Sequence, residues 1–167
     1  LLFPGSSDPK RMWSSENFKA VAKYLITKYD FNIVVSGSYA EAYLFSEIIV
    51  ENCEERFYNL FGNSLPELAK LISESELLIS NDTSAVHFAA AVNTPFICIS
   101  NGSYLGRFNP YPPNIYEKAF TVYPARIQDQ LKDIEKLKQQ YRFNSDIDIN
   151  EIKPQFVIDL LKKLMKP

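Results

Sequence analysis

The sequence has little of what a metal site, a disulfide scaffold or a nucleic-acid surface requires. Its 167 residues include two cysteines, Cys53 and Cys98, and a single histidine, His87. The cysteines lie far apart and form no Cys-x-x-Cys pair, so we expect no zinc site and predict buried free thiols in a reducing compartment. The formal charge of −2 includes no basic excess, and we therefore expect no nucleic-acid partner.

Long apolar runs are also missing. No run approaches the roughly 18 residues that a membrane-spanning helix needs, and the amino terminus lacks the pattern of a signal peptide. We therefore expect a cytoplasmic protein. The chain opens on Leu-Leu-Phe instead of Met, and we expect it to be a piece of a longer protein.

Segment 154–165 is amphipathic; we favour packing of this helix against the domain over the alternative, contact with a membrane surface.

What the sequence does contain is a regular alternation of short apolar runs with segments of helical periodicity. The predicted strands are 1–3, 32–37, 57–62 (a strand or a turn), 77–80 and 96–100. The predicted helices are 15–29, 39–52, 64–72, 84–92, 127–141 and 154–165. This alternation predicts one α/β domain built of βαβ units, with a parallel sheet covered by helices on both faces.

The loop after the first predicted strand carries groups that suit a phosphate. Its sequence, PGSSDPKRMW, combines hydroxyls at Ser6 and Ser7 with positive charge at Lys10 and Arg11. The spacing matches neither Gly-x-Gly-x-x-Gly nor the P-loop. An ordinary solvated loop is therefore an equal alternative.

Glu41 lies near the start of the helix that follows the second predicted strand. A carboxylate in this place can accept hydrogen bonds from a ribose diol, as an acid does in dinucleotide-binding folds. A first-turn Glu stabilised by the helix dipole is the alternative, and the residue taken alone favours it.

The stretch SNDTSAVHFAAA, residues 80–91, combines a helix start with polar side chains. A helix that begins near Thr83 leaves free N–H groups that attract anions, although Asp82 could serve only as its N-cap. His87 lies one turn after Thr83 on the same helix face, where a core histidine is the commoner outcome. Because ligands bind beyond the carboxyl ends of parallel strands, the three loops together predict a nucleoside-diphosphate site.

These motifs resemble the C-terminal half of glycosyltransferase family 9, the ADP-heptose:lipopolysaccharide heptosyltransferases and their relatives. The resemblance covers about residues 1–112 and reaches weakly to INEIKPQFVIDLLKKL near the end. It rests on PGSSDPKRMWSSENF, VVSGSYAEAY, NLFGNSLPELAKLISESELLISNDTSAVHFAAAVNTPF and GRFNPYP, in this order. It implies a Rossmann-like half of a GT-B glycosyltransferase: a single nucleotide-sugar-binding domain over 1–167, with the N-terminal acceptor domain outside this chain.

The resemblance also implies anion contacts. The residues expected to meet the diphosphate are Ser6, Ser7, Lys10, Arg11, Thr83 and Ser84. Arg107, in a loop unlike that of the heptosyltransferases proper, is a further candidate for contact with an anion. Two of these positions depart from the family pattern, because Ser84 replaces the usual Gly and Arg11 stands where the best-known members carry Lys.

The remaining implied roles concern the nucleoside and the sugar. Glu41 is expected to bind the ribose hydroxyls, and residues from Leu60 to Asn63 are expected to line the base pocket through backbone atoms. Asp82 is expected to contact the transferred sugar, with His87 beside it in a supporting role.

The reaction implied by the resemblance is transfer with inversion from a nucleoside-diphosphate sugar, most often ADP-linked, without a catalytic metal or other cofactor. The acceptor is then a glycolipid or oligosaccharide of the lipopolysaccharide type, bound with the general base in the missing domain. Because such an acceptor is attached to lipid, the resemblance also implies peripheral contact of the protein with the inner membrane surface. A non-catalytic nucleotide-binding module is the alternative, whereas an NAD-dependent enzyme is disfavoured by the missing Gly-x-Gly-x-x-Gly.

Overall fold

The computed structural model describes residues 1–165 and shows a six-stranded parallel sheet. Its strands are β1 (Leu2–Phe3), β2 (Ile33–Val35), β3 (Phe57–Asn59), β4 (Leu78–Asn81), β5 (Phe96–Ile99) and β6 (Ala119–Val122). They lie in the order β3-β2-β1-β4-β5-β6. After β3 the chain crosses back to the other side of β1, so the point where the strand order reverses lies between β1 and β4. This is the doubly wound, Rossmann-like order, and it confirms the predicted fold class.

Helices cover both faces of the sheet because successive strand residues point to opposite sides. Leu2, Ile79 and Ile97 belong to one buried cluster, whereas Phe3 and Leu78 belong to the other. The first face is covered by α1 (Ser15–Tyr29), α2 (Leu44–Ile48) and α7 (Pro154–Leu164). The second face is covered by α3 (Leu65–Ser73) and α4 (Ser84–Ala91). A third, smaller cluster packs α5 (Ala125–Gln128) and α6 (Ile134–Gln140) against the segments that follow β5 and β6.

Local caps account for the helix starts that the sequence predicts best. The Ser14 hydroxyl accepts a hydrogen bond from the Asn17 N–H at 3.4 Å at the start of α1. At the start of α3, the Ser64 hydroxyl and N–H donate to the Glu67 carboxylate at 2.6 and 2.8 Å, and these bonds lower the pKa of Glu67. α1 has its predicted bounds, whereas α3 begins and ends one residue later than predicted.

The helix predicted over 39–52 is wrong in its extent. The chain forms a 3-10 turn, Tyr39–Glu41, and then only the short α2, because Ile49 adopts an extended backbone at ψ 133°. Leu44 and Ile48, four residues apart, are its buried anchors. The apolar pattern therefore predicted a helix that is too long.

The single helix predicted over 127–141 is likewise divided. α5 ends at Gln128, a 3-10 turn covers Leu131–Asp133, and α6 follows. Ile127 and Leu137 are buried as expected. Because 3-10 turns and short helices place apolar residues at nearly the same spacing as one long helix, periodicity alone could not locate the breaks.

The irregular stretch predicted beyond Asn101 continues to the edge strand β6, which the sequence-based prediction missed. Val122 is the one strand residue of β6 that is buried, so the segment lacks the continuous apolar run of an interior strand. At the other end of the chain, α7 packs on α1 through Val157 and Leu161, which confirms packing against the domain. Within residues 1–165, no helix combines the length and apolarity required to span a membrane.

The two thiols differ in their surroundings. Cys98 is buried, and burial together with the charge of Asp82 raises its pKa well above the usual range. Cys53 is only half-buried, because it lies on the turn before β3, so the prediction of two buried thiols holds for one of them.

Asn81, the last residue of β4, ties together chain segments that are remote in sequence. Its side-chain oxygen accepts the Trp13 N–H at 3.1 Å, and its amide donates to the Pro4 carbonyl at 2.6 Å. The Trp13 indole in turn donates to the Ile152 carbonyl at 2.6 Å. Asn81 is fully buried, so water cannot replace these bonds.

We predict that Asn81→Ala lowers the free energy of unfolding by about 2 to 4 kcal/mol, because two buried backbone groups lose their partners. Urea denaturation of the parent and variant measures the change. Asn114→Ala, in an exposed loop, is the matched control and should change stability by less than about 0.5 kcal/mol. Equal urea midpoints for the parent and Asn81→Ala would contradict the stabilising role assigned to Asn81.

Candidate functional site

A cleft of about 570 Å³ opens at the carboxyl edge of the sheet, where the strand order reverses. Loops that follow β1, β2 and β4 meet there, as the rule for open α/β sheets requires. The predicted site residues that line the cleft are Ser6, Ser7, Arg11, Glu41, Asp82, Thr83, Ser84 and His87. Segments far apart in sequence thus contribute to one concave surface.

The β1 loop is held in shape by its own polar groups. The Asp8 carboxylate accepts the Lys10 N–H at 3.0 Å and caps the 3-10 turn Pro9–Arg11. The Ser6 hydroxyl accepts the Asp8 N–H at 3.3 Å, whereas Ser7 is exposed. This turn directs the Arg11 guanidinium into the cleft.

Asp82 is a buried carboxylate with a partner on each oxygen. It is 7% exposed; Oδ2 accepts the Ser100 hydroxyl at 3.0 Å, and Oδ1 accepts the Asn109 amide at 2.7 Å. Arg11 lies 3.6 Å from Oδ2 and also donates to the Asp82 backbone carbonyl. Such pairing is what a buried charge requires, and it joins the loops after β1, β4 and β5.

The N-cap of α4 is Thr83, not Asp82. The Thr83 hydroxyl accepts the Ala85 N–H at 3.4 Å, and Asp82 precedes it with its carboxylate turned to Ser100 and Asn109. The correction follows from the side-chain partners available to Asp82, which no local pattern shows. Ser84 is the exposed first residue of the helix, and its N–H faces the region expected to attract anions.

Glu41 forms a local cap and also lines the cleft. Its Oε2 accepts the Ser38 N–H at 2.8 Å and the Ser38 hydroxyl at 2.6 Å in a capping box. Its Oε1 accepts no hydrogen bond from the described residues, and it lies directly over Gly5. A methyl group at Gly5 would overlap this carboxylate, so glycine is required for the close approach. The cap therefore presents a free carboxylate oxygen in the cleft.

His87 lies between the cleft and the loop that follows β5. Its Nδ1 is 2.6 Å from the Tyr111 hydroxyl, and its ring contacts Phe108 at a centroid distance of 5.7 Å. Burial, with a smaller contribution from the charge of Asp82, raises the pKa of Tyr111, so its hydroxyl keeps its proton and can donate to Nδ1. His87 is thus held at the cleft wall by aromatic neighbours.

Three predicted site residues do not line the cleft. Lys10 is exposed on the outer side of the β1 turn. Asn63 donates to the Leu60 carbonyl at 2.7 Å and stabilises its own turn. Arg107 is exposed and lies against the rings of Tyr104 and Phe108, which themselves line the cleft, but Arg107 is not part of the cleft lining. The structure thus separates them from the other eight predicted positions.

Sequence reasoning missed the residues that hold the cleft together. Ser100 and Asn109 orient Asp82, and Tyr104 lines the cleft beneath Arg11 at 5.8 Å. Ser100 follows directly after β5, so the same strand-end rule, applied to a fourth strand, would have found it. Asn109 and Tyr104 lie in an irregular loop, where no periodic signal marks them.

The charges of the cleft lining are one guanidinium, from Arg11, and two carboxylates, from Glu41 and Asp82. Free N–H groups at the start of α4 add partial positive charge. Among residues 1–165 there is no group of three or more His, Cys, Asp or Glu side chains arranged to hold a metal ion.

The doubly wound sheet and this cleft define a Rossmann-like α/β domain with a candidate nucleotide site. Residues 1–160 match the model of glycosyltransferase family 9 (heptosyltransferase), and the chain therefore belongs to that family. The family assignment confirms the resemblance seen in the sequence motifs.

Individual relatives agree with this assignment. The chain is 26% identical over 168 residues to Lipooligosaccharide heptosyltransferase 2 of Haemophilus influenzae, covering 97% of this chain and 46% of the relative. It is 27% identical over 167 residues to Lipopolysaccharide core heptosyltransferase OpsX of the same organism, covering 98% and 47%. The structure of the ADP-heptose LPS heptosyltransferase II of Escherichia coli shares the fold, with a TM-score of 0.74 at 22% identity over 98% of this chain and 45% of that one. The chain thus spans about half the length of the relatives it matches.

We predict that Gly5→Ala lowers the free energy of unfolding by about 1 kcal/mol, because the new methyl group displaces Glu41 from its capping box. The matched test is a double-mutant cycle measured by urea denaturation. In a Glu41→Ala background the carboxylate is absent, so Gly5→Ala should have almost no further effect. Additive effects of the two changes would show that the carboxylate does not lie over Gly5.

Proposed function

We propose that this chain is the donor-binding domain of an inverting glycosyltransferase. The transferred sugar is a heptose, the donor is its ADP-linked form, and the acceptor is a lipopolysaccharide-type glycan. The observation that carries the proposal is the convergence of Arg11, Glu41 and the start of α4 on one cleft at the carboxyl edge of the sheet. The names of the relatives, heptosyltransferases of lipooligosaccharide and lipopolysaccharide, support the sugar and the acceptor class.

The diphosphate is assigned to the side of the cleft between the β1 loop and α4. Arg11 is half-buried and supplies positive charge, and Ser6 and Ser7 add hydroxyls. Thr83 and Ser84 lie at the helix end, where free N–H groups attract anions. Ser84 carries a side chain where the family usually has Gly, so its hydroxyl can donate to a phosphate oxygen as well.

The nucleoside is assigned to the other side, toward β2 and β3. The free Oε1 of Glu41 accepts hydrogen bonds from the ribose hydroxyls. Base contacts through Leu60 to Asn63 are restricted, because the N–H groups of Leu60 and Gly62 already donate to Val35 and Gly37. Among these backbone groups, the Phe61 carbonyl remains available to accept a hydrogen bond from a base.

Asp82 has a supporting role in this proposal. Both of its carboxylate oxygens have partners, namely Ser100, Asn109 and Arg11, and these contacts hold the Arg11 guanidinium on the side of the cleft assigned to the diphosphate. A sugar hydroxyl that reaches Asp82 would share an oxygen already in use. His87 forms the wall next to the transferred sugar.

The chemistry assigned to these residues is stabilisation of the departing nucleoside diphosphate. Negative charge grows on the phosphate oxygens as the bond to the sugar breaks, and Arg11 and the α4 N–H groups are placed to meet it. The proposal assigns this step no metal ion, and it places the general base and the acceptor in a second domain. The cytoplasmic face of the membrane is then the expected location, with peripheral contact through that second domain.

We predict that ADP binds the chain more tightly than UDP or GDP, measured by titration calorimetry. Glu41→Gln should weaken ADP binding about tenfold, because a neutral amide accepts the ribose hydrogen bonds less strongly than a carboxylate. Glu51→Gln removes the same charge from an exposed position away from the cleft and should have no effect. If none of the three nucleotides binds, or if Glu41→Gln binds ADP like the parent, the proposal is wrong.

A second experiment separates an enzyme from a non-catalytic binding module. The full-length protein, given ADP-heptose and a lipooligosaccharide-type acceptor, should release ADP and extend the acceptor. Binding of ADP without any product would favour the module.

A further inference from the structure

Arg107 stands between two adjoining hollows on the surface next to the cleft. One hollow, of about 730 Å³, extends toward Arg142 and Phe143. The other, of about 660 Å³, extends toward Phe108 and Ile115. Gly106, Arg107 and Lys138 line both, so the two form one continuous surface, which we call the Arg107 face.

The two arginines of this face lie against aromatic rings, whereas Lys138 pairs with the Glu135 carboxylate at 2.7 Å. The Arg107 guanidinium carbon lies 4.9 Å from the centre of the Phe108 ring, and that of Arg142 lies 5.4 Å from the Phe143 ring. Neither guanidinium forms an ion pair with any of residues 1–165. A guanidinium stacked on a ring keeps its N–H donors at the edge, so both can bind an incoming anion.

The Arg107 face is built on a well-defined backbone. The Leu105 N–H donates to the Tyr141 carbonyl at 3.3 Å, which fixes the Arg107 loop to the residue before Arg142. Gly106 has φ +83° and lies against the Lys138 side chain, where a methyl group would overlap it. The backbone segments that carry the two arginines are therefore fixed relative to each other.

Large apolar side chains are exposed beside these cations. Ile115 and Phe143 are 68% and 70% exposed, and Phe108 is 48% exposed. Such exposure in the neighbourhood of charge marks a binding surface. Phe108 and His87 line both the Arg107 face and the donor cleft, so a ligand on this face reaches the place where the sugar would be transferred.

We propose that the Arg107 face binds an anionic saccharide, the phosphorylated or carboxylated part of the acceptor glycan. This inference rests on the proposed function, because it brings one anionic part of an acceptor held mainly by the second domain to the side of the proposed donor cleft. The two guanidinium groups recognise the anion, and the exposed rings pack against the apolar C–H faces of sugar rings. The concave shape favours a compact ligand over a bilayer surface, since hollows of this volume suit small molecules.

The test is a titration of the chain with glucose 6-phosphate, followed by the backbone amide resonances in two-dimensional NMR. Saturable shifts are expected at residues 105–109 and 141–143, and none with glucose. Inorganic phosphate should bind more weakly than glucose 6-phosphate. Arg107→Gln and Arg142→Gln should each weaken binding about tenfold, as expected when a charge-assisted hydrogen bond is lost.

Arg126→Gln is the matched control, because Arg126 already pairs with Glu151 at 2.7 Å and lies outside both hollows. It should bind glucose 6-phosphate like the parent. Equal loss in all three variants, or equal affinity for phosphate and glucose 6-phosphate, would overturn the saccharide assignment. The assignment would also be overturned if glucose 6-phosphate caused no shifts while the chain sedimented with phosphatidylglycerol vesicles and Arg107→Gln abolished that sedimentation. The Arg107 face would then bind a membrane.

An ADP titration of the same sample separates this inference from the proposed function. ADP should shift residues 83–85 and 41 instead of the Arg107 face. Shifts with ADP but none with glucose 6-phosphate overturn only the saccharide site on the Arg107 face. Failure of ADP to bind overturns the proposed function, and with it the identification of the saccharide as an acceptor.

Discussion

The buried carboxylate of Asp82 is the interaction on which the candidate site depends. A charge that is 7% exposed must be paired, and its partners come from three separate segments: Arg11, Ser100 and Asn109. Satisfying this single side chain brings the β1 loop, the end of β5 and the long loop after it to the start of α4. The cleft therefore follows from an electrostatic requirement imposed at the point where the strand order of the sheet reverses.

Much of the fold could be predicted from the sequence because its signals are local. Alternating apolar runs and helices predicted the parallel sheet, and apolar periodicity located α1 and α3 to within one residue. The breaks after α2 and α5 could not be predicted in this way, since an apolar spacing of three to four residues fits a long helix and a series of short turns equally well. β6 was missed because an edge strand with one buried residue has almost no apolar signature.

For the site, the strand-end rule located Arg11, Glu41 and Thr83, because their positions follow from chain order alone. The convergence of Arg11, Ser100 and Asn109 on Asp82 could not be predicted, since it depends on how loops remote in sequence meet. The orientation of the Arg107 side chain could not be predicted either, because it depends on the positive φ of Gly106 and on the ring of Phe108. Arg107 therefore lies on a neighbouring surface that shares Phe108 and His87 with the cleft.

The side-chain partners of Asp82 organise the cleft of this member of glycosyltransferase family 9. Hydrogen–deuterium exchange of Asp82→Asn, read by mass spectrometry, tests the organising role of Asp82 most directly. An asparagine keeps the shape but removes the charge that holds Arg11. The account predicts faster exchange in residues 5–12 and 100–109, with α3 unchanged as the internal reference. Unchanged exchange in both loops of a folded variant would contradict the claim that the buried carboxylate holds the cleft together.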